Sequence, residues 1–331
     1  MSVKYDQKLC LGGVSLHIHY FNVTYRCNNR CYFCASDSPS EFLPDLTVDE
    51  IRKSIAHSGT GPGDMAVVNG GEPTVHPHLR EILEVLVDTG AYVVLFTNGR
   101  KLADPAYAMS VLRCGLSRIS VPLYGYDATT HDDCTGIGGS WHETVEGLHN
   151  VFRWRESMGT PEVELKTLIT DRTIGYLPRA ISTILRMFPS VDRFVLSGLI
   201  QSDTALASHA AVDLGNPQLL EQLNRAVMEA LQIGSRLILD SVPLCVLNPD
   251  VRIQWLFSRS KRSCARGRGQ TSESYFVYAD AKFPEGIKER DWWNISHCPH
   301  EQCRLHSVCR MNPRYFRSPI AASGIRPIVE V

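Results

Sequence analysis

The apolar positions of the chain switch between two periods. Residues 14–23 alternate around His17 and His19, the pattern of a strand. Residues 47–57 open on Thr47, carry Glu50 three positions on, and then take helical spacing, a capping-box signature. Residues 64–68 predict a short strand that ends in Asn69-Gly70-Gly71-Glu72-Pro73. Residues 77–89 place Leu79, Ile82, Leu83, Leu86 and Val87 on one helical face. The same exchange continues, with strands at 92–96, 118–123, 163–169, 193–199 and 236–239 and helices at 106–114, 141–158, 177–188 and 217–234. Strand and helix that alternate in this way predict right-handed crossovers and a parallel sheet.

The pattern changes near residue 240. Turn-forming residues increase, a basic run appears (Arg259, Lys261, Arg262, Arg266, Arg268), and cysteines return. We place a domain boundary there, with residues 1–240 as the α/β body and 241–331 as a small cysteine-rich extension. The basic run reads as a solvated face, with a grip on a phosphate or carboxylate substrate as the alternative. Hydrophobic content of 44% and charged content of 21% over 331 residues suit a globular enzyme. The net charge of −1 supplies no general field for nucleic acid or an anionic membrane. No apolar run reaches transmembrane length, and the first ten residues lack the apolar core of a signal peptide. The eleven cysteines then read as metal ligands and free thiols in a reducing, cytoplasmic setting.

Candidate chemistry concentrates in one stretch. Cys27, Cys31 and Cys34 are spaced C-x3-C-x2-C immediately after the first strand. Thiolates at this density point to an iron–sulfur cluster, and three of them leave one iron of a [4Fe–4S] cube open. The alternatives are a zinc knuckle or three unconnected thiols. Zinc ordinarily takes a fourth Cys or His nearby, and the twenty residues after Cys34 contain neither.

With Phe33 as the aromatic before the third cysteine, this stretch resembles the C-x3-C-x-Φ-C signature of the radical S-adenosylmethionine (radical SAM) superfamily. Gly70-Gly71-Glu72-Pro73 is similar to the family's GGEP motif. The resemblance implies a partial (β/α)6 TIM-type barrel with function at the C-terminal strand ends. The cysteine loop, Gly70–Pro73 and Thr97-Asn98-Gly99 all follow strands and obey that rule. It implies that Cys27, Cys31 and Cys34 hold a [4Fe–4S] cluster whose open iron takes the amino and carboxylate groups of SAM. Glu72 then binds the SAM ammonium, and Phe33, Gly70, Gly71, Pro73 and Asn98 complete the cofactor pocket. It places Lys166, Thr170, Ser197 and Gly198 beside the nucleoside of SAM. The stretch from Pro122 to Asp127, with His131, Asp132 and 138–141, resembles a region that approaches the SAM ribose or the substrate. Tyr124, His131 and Asp132 are candidates there, with Tyr124 as a catalytic one. The alternative is a loop followed by a helix cap at Ser140.

The tail holds a second signal. Cys298, Cys303 and Cys309 resemble part of the Twitch and SPASM auxiliary-cluster extensions and imply a second [4Fe–4S] cluster. Its fourth ligand is Cys245 or Cys264, and the one left over is a thiol able to donate hydrogen to a substrate radical. A zinc site that includes His300 or His306 is the alternative. Cys10, Cys114 and Cys134 read as packing or surface thiols.

These features predict an enzyme that cleaves SAM with an electron from a flavodoxin- or ferredoxin-type reductant and takes a hydrogen atom from a small polar substrate. A sugar, aminoglycoside or nucleoside of natural-product biosynthesis fits, with dehydrogenation, epimerisation or decarboxylation as the outcome. The rivals are a maturase of ribosomal peptides and a non-catalytic iron–sulfur sensor or electron carrier.

Overall fold

The computed structural model describes residues 9–11, 14–34, 36, 44–199, 212, 216–232, 236–240, 242, 244–251, 254 and 273–277. The strands are β1 (Leu9–Leu11), β2 (Val14–Thr24), β3 (Met65–Gly70), β4 (Tyr92–Phe96), β5 (Arg118–Pro122), β6 (Glu162–Ile169), β7 (Arg193–Gly198), β8 (Arg236–Asp240) and β9 (Glu273–Val277). The helices are α1 (Val48–Ser58), α2 (Leu79–Val87), α3 (Pro105–Leu112), α4 (Ala128–Thr135), α5 (Ser140–Met158), α6 (Leu177–Met187) and α7 (Pro217–Gln232).

Strands β2 to β8 pair in chain order, each parallel to the last. This is the expected α/β partial barrel. On the free edge of β2, β1 pairs antiparallel and β9, from beyond residue 240, pairs parallel. Sequence periodicity gave no sign of β9.

The two faces of the sheet differ because side chains alternate along each strand. One set, including Phe21, Val68, Leu95, Val121, Leu165 and Leu196, is buried in the core shared with the helices. The other set faces the lumen and is partly charged. At the N-terminal strand ends, Arg118 lies 3.5 Å from Glu162 and 3.6 Å from Glu164. Arg193 lies 3.2 Å from Glu162, and Tyr92 donates its hydroxyl to Glu162 at 2.8 Å. Paired charges of both signs therefore fill that end, as buried charges require.

Local signals settle the helix ends. Thr47 and Glu50 form the expected reciprocal capping box of α1. The stretch between β5 and α5 corrects the expectation of a loop capped at Ser140. Asp127 caps α4 there through Thr130, and the N-cap of α5 is Gly139. Asp132 accepts from the backbone N–H groups of Gly139 (2.6 Å) and Trp141 (2.8 Å) and from the Ser140 hydroxyl (2.7 Å). It ties α4 to the start of α5.

Candidate active site

The cysteine loop leaves β2 at Thr24 and is fastened from three sides. The first fastening is to the turn after β3. Gly71 donates to the Thr24 carbonyl at 2.7 Å, and Glu72 donates to the Arg26 carbonyl at 2.9 Å. This approach needs glycine. Gly70 has φ 137°, and a Cβ on it would strike the Thr24 carbonyl; a Cβ on Gly71 would strike that of Arg26. The second fastening comes from β4. Asn98 donates its side-chain N–H to Asn28 Oδ1 at 2.7 Å. Arg100 donates to the Asn28 carbonyl and, at 3.0 Å, to Asn29 Oδ1. The third comes from α4 and β6. Arg30 donates to the Thr135 carbonyl at 2.8 Å, and the Tyr32 hydroxyl donates to Thr170 Oγ1 at 2.6 Å.

Glu72 is the knot of the second side. Its Oε1 accepts from the Thr74 N–H (3.0 Å), the Thr74 hydroxyl (2.5 Å) and the Thr97 hydroxyl (2.6 Å). Its Oε2 accepts from the Asn98 N–H at 2.6 Å. The side chain is 1% exposed. Burial raises its carboxyl pKa, and these bonds pull against that rise.

The three thiols are half-buried. Burial, then its neighbours, chiefly Glu72 and Cys34, push the Cys27 thiol up to about 11, although the Asn29 N–H donates to its sulfur at 3.3 Å. Cys31 is pushed up by burial and then by Cys34 and Cys27. Each thiolate thus disfavours its neighbours, and a cationic cluster would hold all three as thiolates. Among the described residues, no three His, Cys, Asp or Glu side chains converge as they would around a single ion. A cube that takes its thiolates at separate corners does not need them to. The donor set fits a cluster.

Beneath the loop lies an aromatic bed. Phe33 meets Tyr124 edge to face at 4.9 Å, and Tyr124 stacks on His131 at 5.6 Å. Tyr124 is 8% exposed, and burial raises its phenol. His131 is 1% exposed, its Nδ1 accepts from the Tyr124 N–H at 3.3 Å, and burial lowers its imidazole to about 4. His131 builds this floor, and Asp132 next to it caps the start of α5. Cys134, read as a packing or surface thiol, is buried in the same cluster with Phe33, Tyr124 and Leu199, and Cys31 packs against it. Its place on α4, between two capped turns, was not visible in the spacing of the cysteines.

The far wall carries the other polar candidates. Lys166 on β6 lies 3.5 Å from Asp240 at the end of β8, and the Ser197 hydroxyl donates to Asp240 at 2.9 Å. Sequence reasoning missed Asp240. Cys245 sits in the short turn Leu244–Val246 after β8, half-buried against the core. Cys264, Cys298, Cys303 and Cys309, like the basic run, lie outside the described residues. No helix of the described residues is long and apolar enough to cross a membrane.

Residues 21–153, which run from the end of β2 through the cysteine loop and β3 to β5 into α5, match the model of the radical SAM superfamily. The chain carries a radical SAM domain. It is 33% identical over 129 residues to an AdoMet-dependent heme synthase of Methanosarcina barkeri, a match that covers 39% of this chain and 37% of that protein. The chain thus spans little more than a third of that curated relative. Among solved structures, Streptococcus suis SuiB bound to S-adenosylmethionine is similar at TM-score 0.54 and 13% identity, over 71% of this chain and 52% of that one. Methylornithine synthase is similar at TM-score 0.53 and 15% identity, over 90% of this chain and 82% of that one. At such identities these likenesses show the partial-barrel fold and nothing finer. A radical SAM domain implies a [4Fe–4S] cluster and SAM.

Proposed function

We propose that this radical SAM protein is an enzyme that removes a hydrogen atom from a small polar molecule. The observation that carries the reading is the C-x3-C-x2-C loop, fastened at the C-terminal end of the first parallel strand by Gly71, Glu72, Asn98 and Arg100. Cys27, Cys31 and Cys34 would hold the cluster. When bound, the reduced cluster and SAM supply a 5′-deoxyadenosyl radical, and the cofactor carries the hard chemistry. The chain supplies position and exclusion of water. Phe33, backed by Tyr124, closes the loop's inner side. Arg100 holds the Asn28 carbonyl and the Asn29 side chain, Asn98 holds the Asn28 side chain, and together they would fix the loop before any ligand arrives.

We place the substrate between this loop and the wall of Lys166, Ser197 and Asp240, where the family resemblance set Lys166 and Ser197 beside the nucleoside of SAM; the acceptors and cation of this wall suit hydroxyl, amine or carboxylate groups of either molecule. This supports a sugar, aminoglycoside or nucleoside as the substrate. We propose with it reduced flavodoxin or ferredoxin as the electron donor, and dehydrogenation, epimerisation or decarboxylation as the outcome. We extend the proposal to the tail. Residues 241–331 form a Twitch- or SPASM-like extension, and Cys298, Cys303 and Cys309, with Cys245 or Cys264, hold an auxiliary [4Fe–4S] cluster; their spacing supports this. The test is fractionation of the source organism's extract. With SAM and reductant, the low-mass fraction should raise 5′-deoxyadenosine above its background. A rise from the peptide fraction alone would overturn the small-molecule reading.

A further inference from the structure

We propose that the side-chain oxygen of Asn69 receives the amine of SAM, and that Glu72 next to it is a positioning residue whose oxygens are committed to the chain. The inference rests on the reading that SAM binds at the Cys27–Cys34 loop.

Strand alternation decides where Asn69 lies. Val68 is in the outer core with Phe21 and Leu95, so Asn69 falls on the opposite, lumenal face. It is the last residue of β3 before the two glycines and is in register with Asn22 on β2. Gly70 and Gly71 leave no room for side chains against the Thr24 and Arg26 carbonyls. Only Asn69 and Glu72 therefore offer side-chain oxygens from this turn.

The two oxygen sets differ sharply. Glu72 is 1% exposed and accepts from Thr74, Thr97 and Asn98. Asn69 Oδ1 is buried and accepts from no donor among the described residues. A buried acceptor without a donor is unfavourable, and an arriving N–H relieves it. The ligand's chemistry matches. An amine that gives its lone pair to the open iron keeps two N–H donors and no charge of its own. A neutral amide oxygen suits such a donor, and a second carboxylate is not required.

The test titrates SAM into the anaerobically reconstituted, reduced protein and follows the EPR spectrum of the cluster. Asn69→Leu should keep the wild-type iron content and need roughly three- to tenfold more SAM to reach half-change, the loss of one hydrogen bond. Asn69→Asp, which keeps an acceptor oxygen, should titrate within about threefold of wild type. Should the leucine disturb cluster loading, Asn69→Ala takes its place. The assignment is overturned if Asn69→Leu titrates like wild type. It also falls if Asn69→Asp weakens as much as Asn69→Leu, since the side chain would then matter only for packing. A wild-type protein with a loaded cluster that shows no SAM-dependent change would overturn the reading beneath it, and the assignment with it.

Discussion

The two sides of the barrel mouth are built differently. On the β2–β5 side, the cysteine loop is held by backbone pairs to Gly71, Glu72 and Thr135 and by side-chain bonds from Asn98 and Arg100. On the β6–β8 side, Lys166 and Asp240 are 30% and 43% exposed and meet at 3.5 Å. The first side presents a backbone fixed through buried partners such as Glu72 and Thr97. The second presents side chains that water reaches and that can exchange partners. A site that places a cluster benefits from order achieved before binding. A wall that meets a varied substrate benefits from groups that can be re-paired. On the proposed function, the first side would take the cofactor and the second the substrate.

The largest effect should come from breaking the fixed side at its tightest point. In Gly71→Ala the new methyl meets the Arg26 carbonyl and lies 2.7 Å from that of Tyr25. We expect a loss of about 3 kcal/mol in chemical denaturation. Iron after reconstitution should fall well below the about four per cluster of a cube. Full iron loading in this variant would show that the loop does not depend on its clamp. Next, Glu72→Gln keeps the shape but turns an N–H₂ toward donors that now meet an oxygen. The expected loss is about 2 kcal/mol, read in the same assay, and an unchanged midpoint would remove Glu72 as the knot.

How much of this was legible in the chain follows from the range of each interaction. The capping box of Thr47 and Glu50 is local, and the sequence showed it. The barrel emerged because strands β2 to β8 and every helix but α4 carry their own apolar pattern, whereas α4 and β9 gave no such signal. The need for glycine at positions 70 and 71 showed only as a motif, since its cause, the Thr24 and Arg26 carbonyls, lies on another strand. The cap role of Asp132 was not legible, because its partners at Gly139 and Trp141 depend on how α4 turns into α5. Asp240 gave no signal at all, since its meaning comes from Lys166 and Ser197 on neighbouring strands.

A pH experiment sharpens the comparison on the fixed side. Burial lowers His131 from 6.5 to about 4. With its folded value below the unfolded one, the stability tied to neutral His131 is complete above the unfolded pKa and is lost as pH falls toward the folded one. Between about pH 7 and about pH 5 this loss is about 2 kcal/mol. Denaturation at both pH values should show it in the wild type and not in His131→Asn; equal pH slopes would contradict the buried floor. The smallest effect belongs to the far wall. Lys166→Met should change stability by less than about 1 kcal/mol, because its ion pair is open to water, and should leave iron content at the wild-type level. Cluster loss in that variant would break the division between the two sides.

The most direct measurement is the yield of 5′-deoxyadenosine from SAM by the reduced, anaerobically reconstituted protein, compared with Cys31→Ala. The wild type should form 5′-deoxyadenosine together with methionine. Cys31→Ala should form none above the protein-free background, because its loop is left with two of the three thiols that the cluster needs. SAM cleavage by Cys31→Ala at the wild-type level would contradict the assignment of the loop and the function proposed from it.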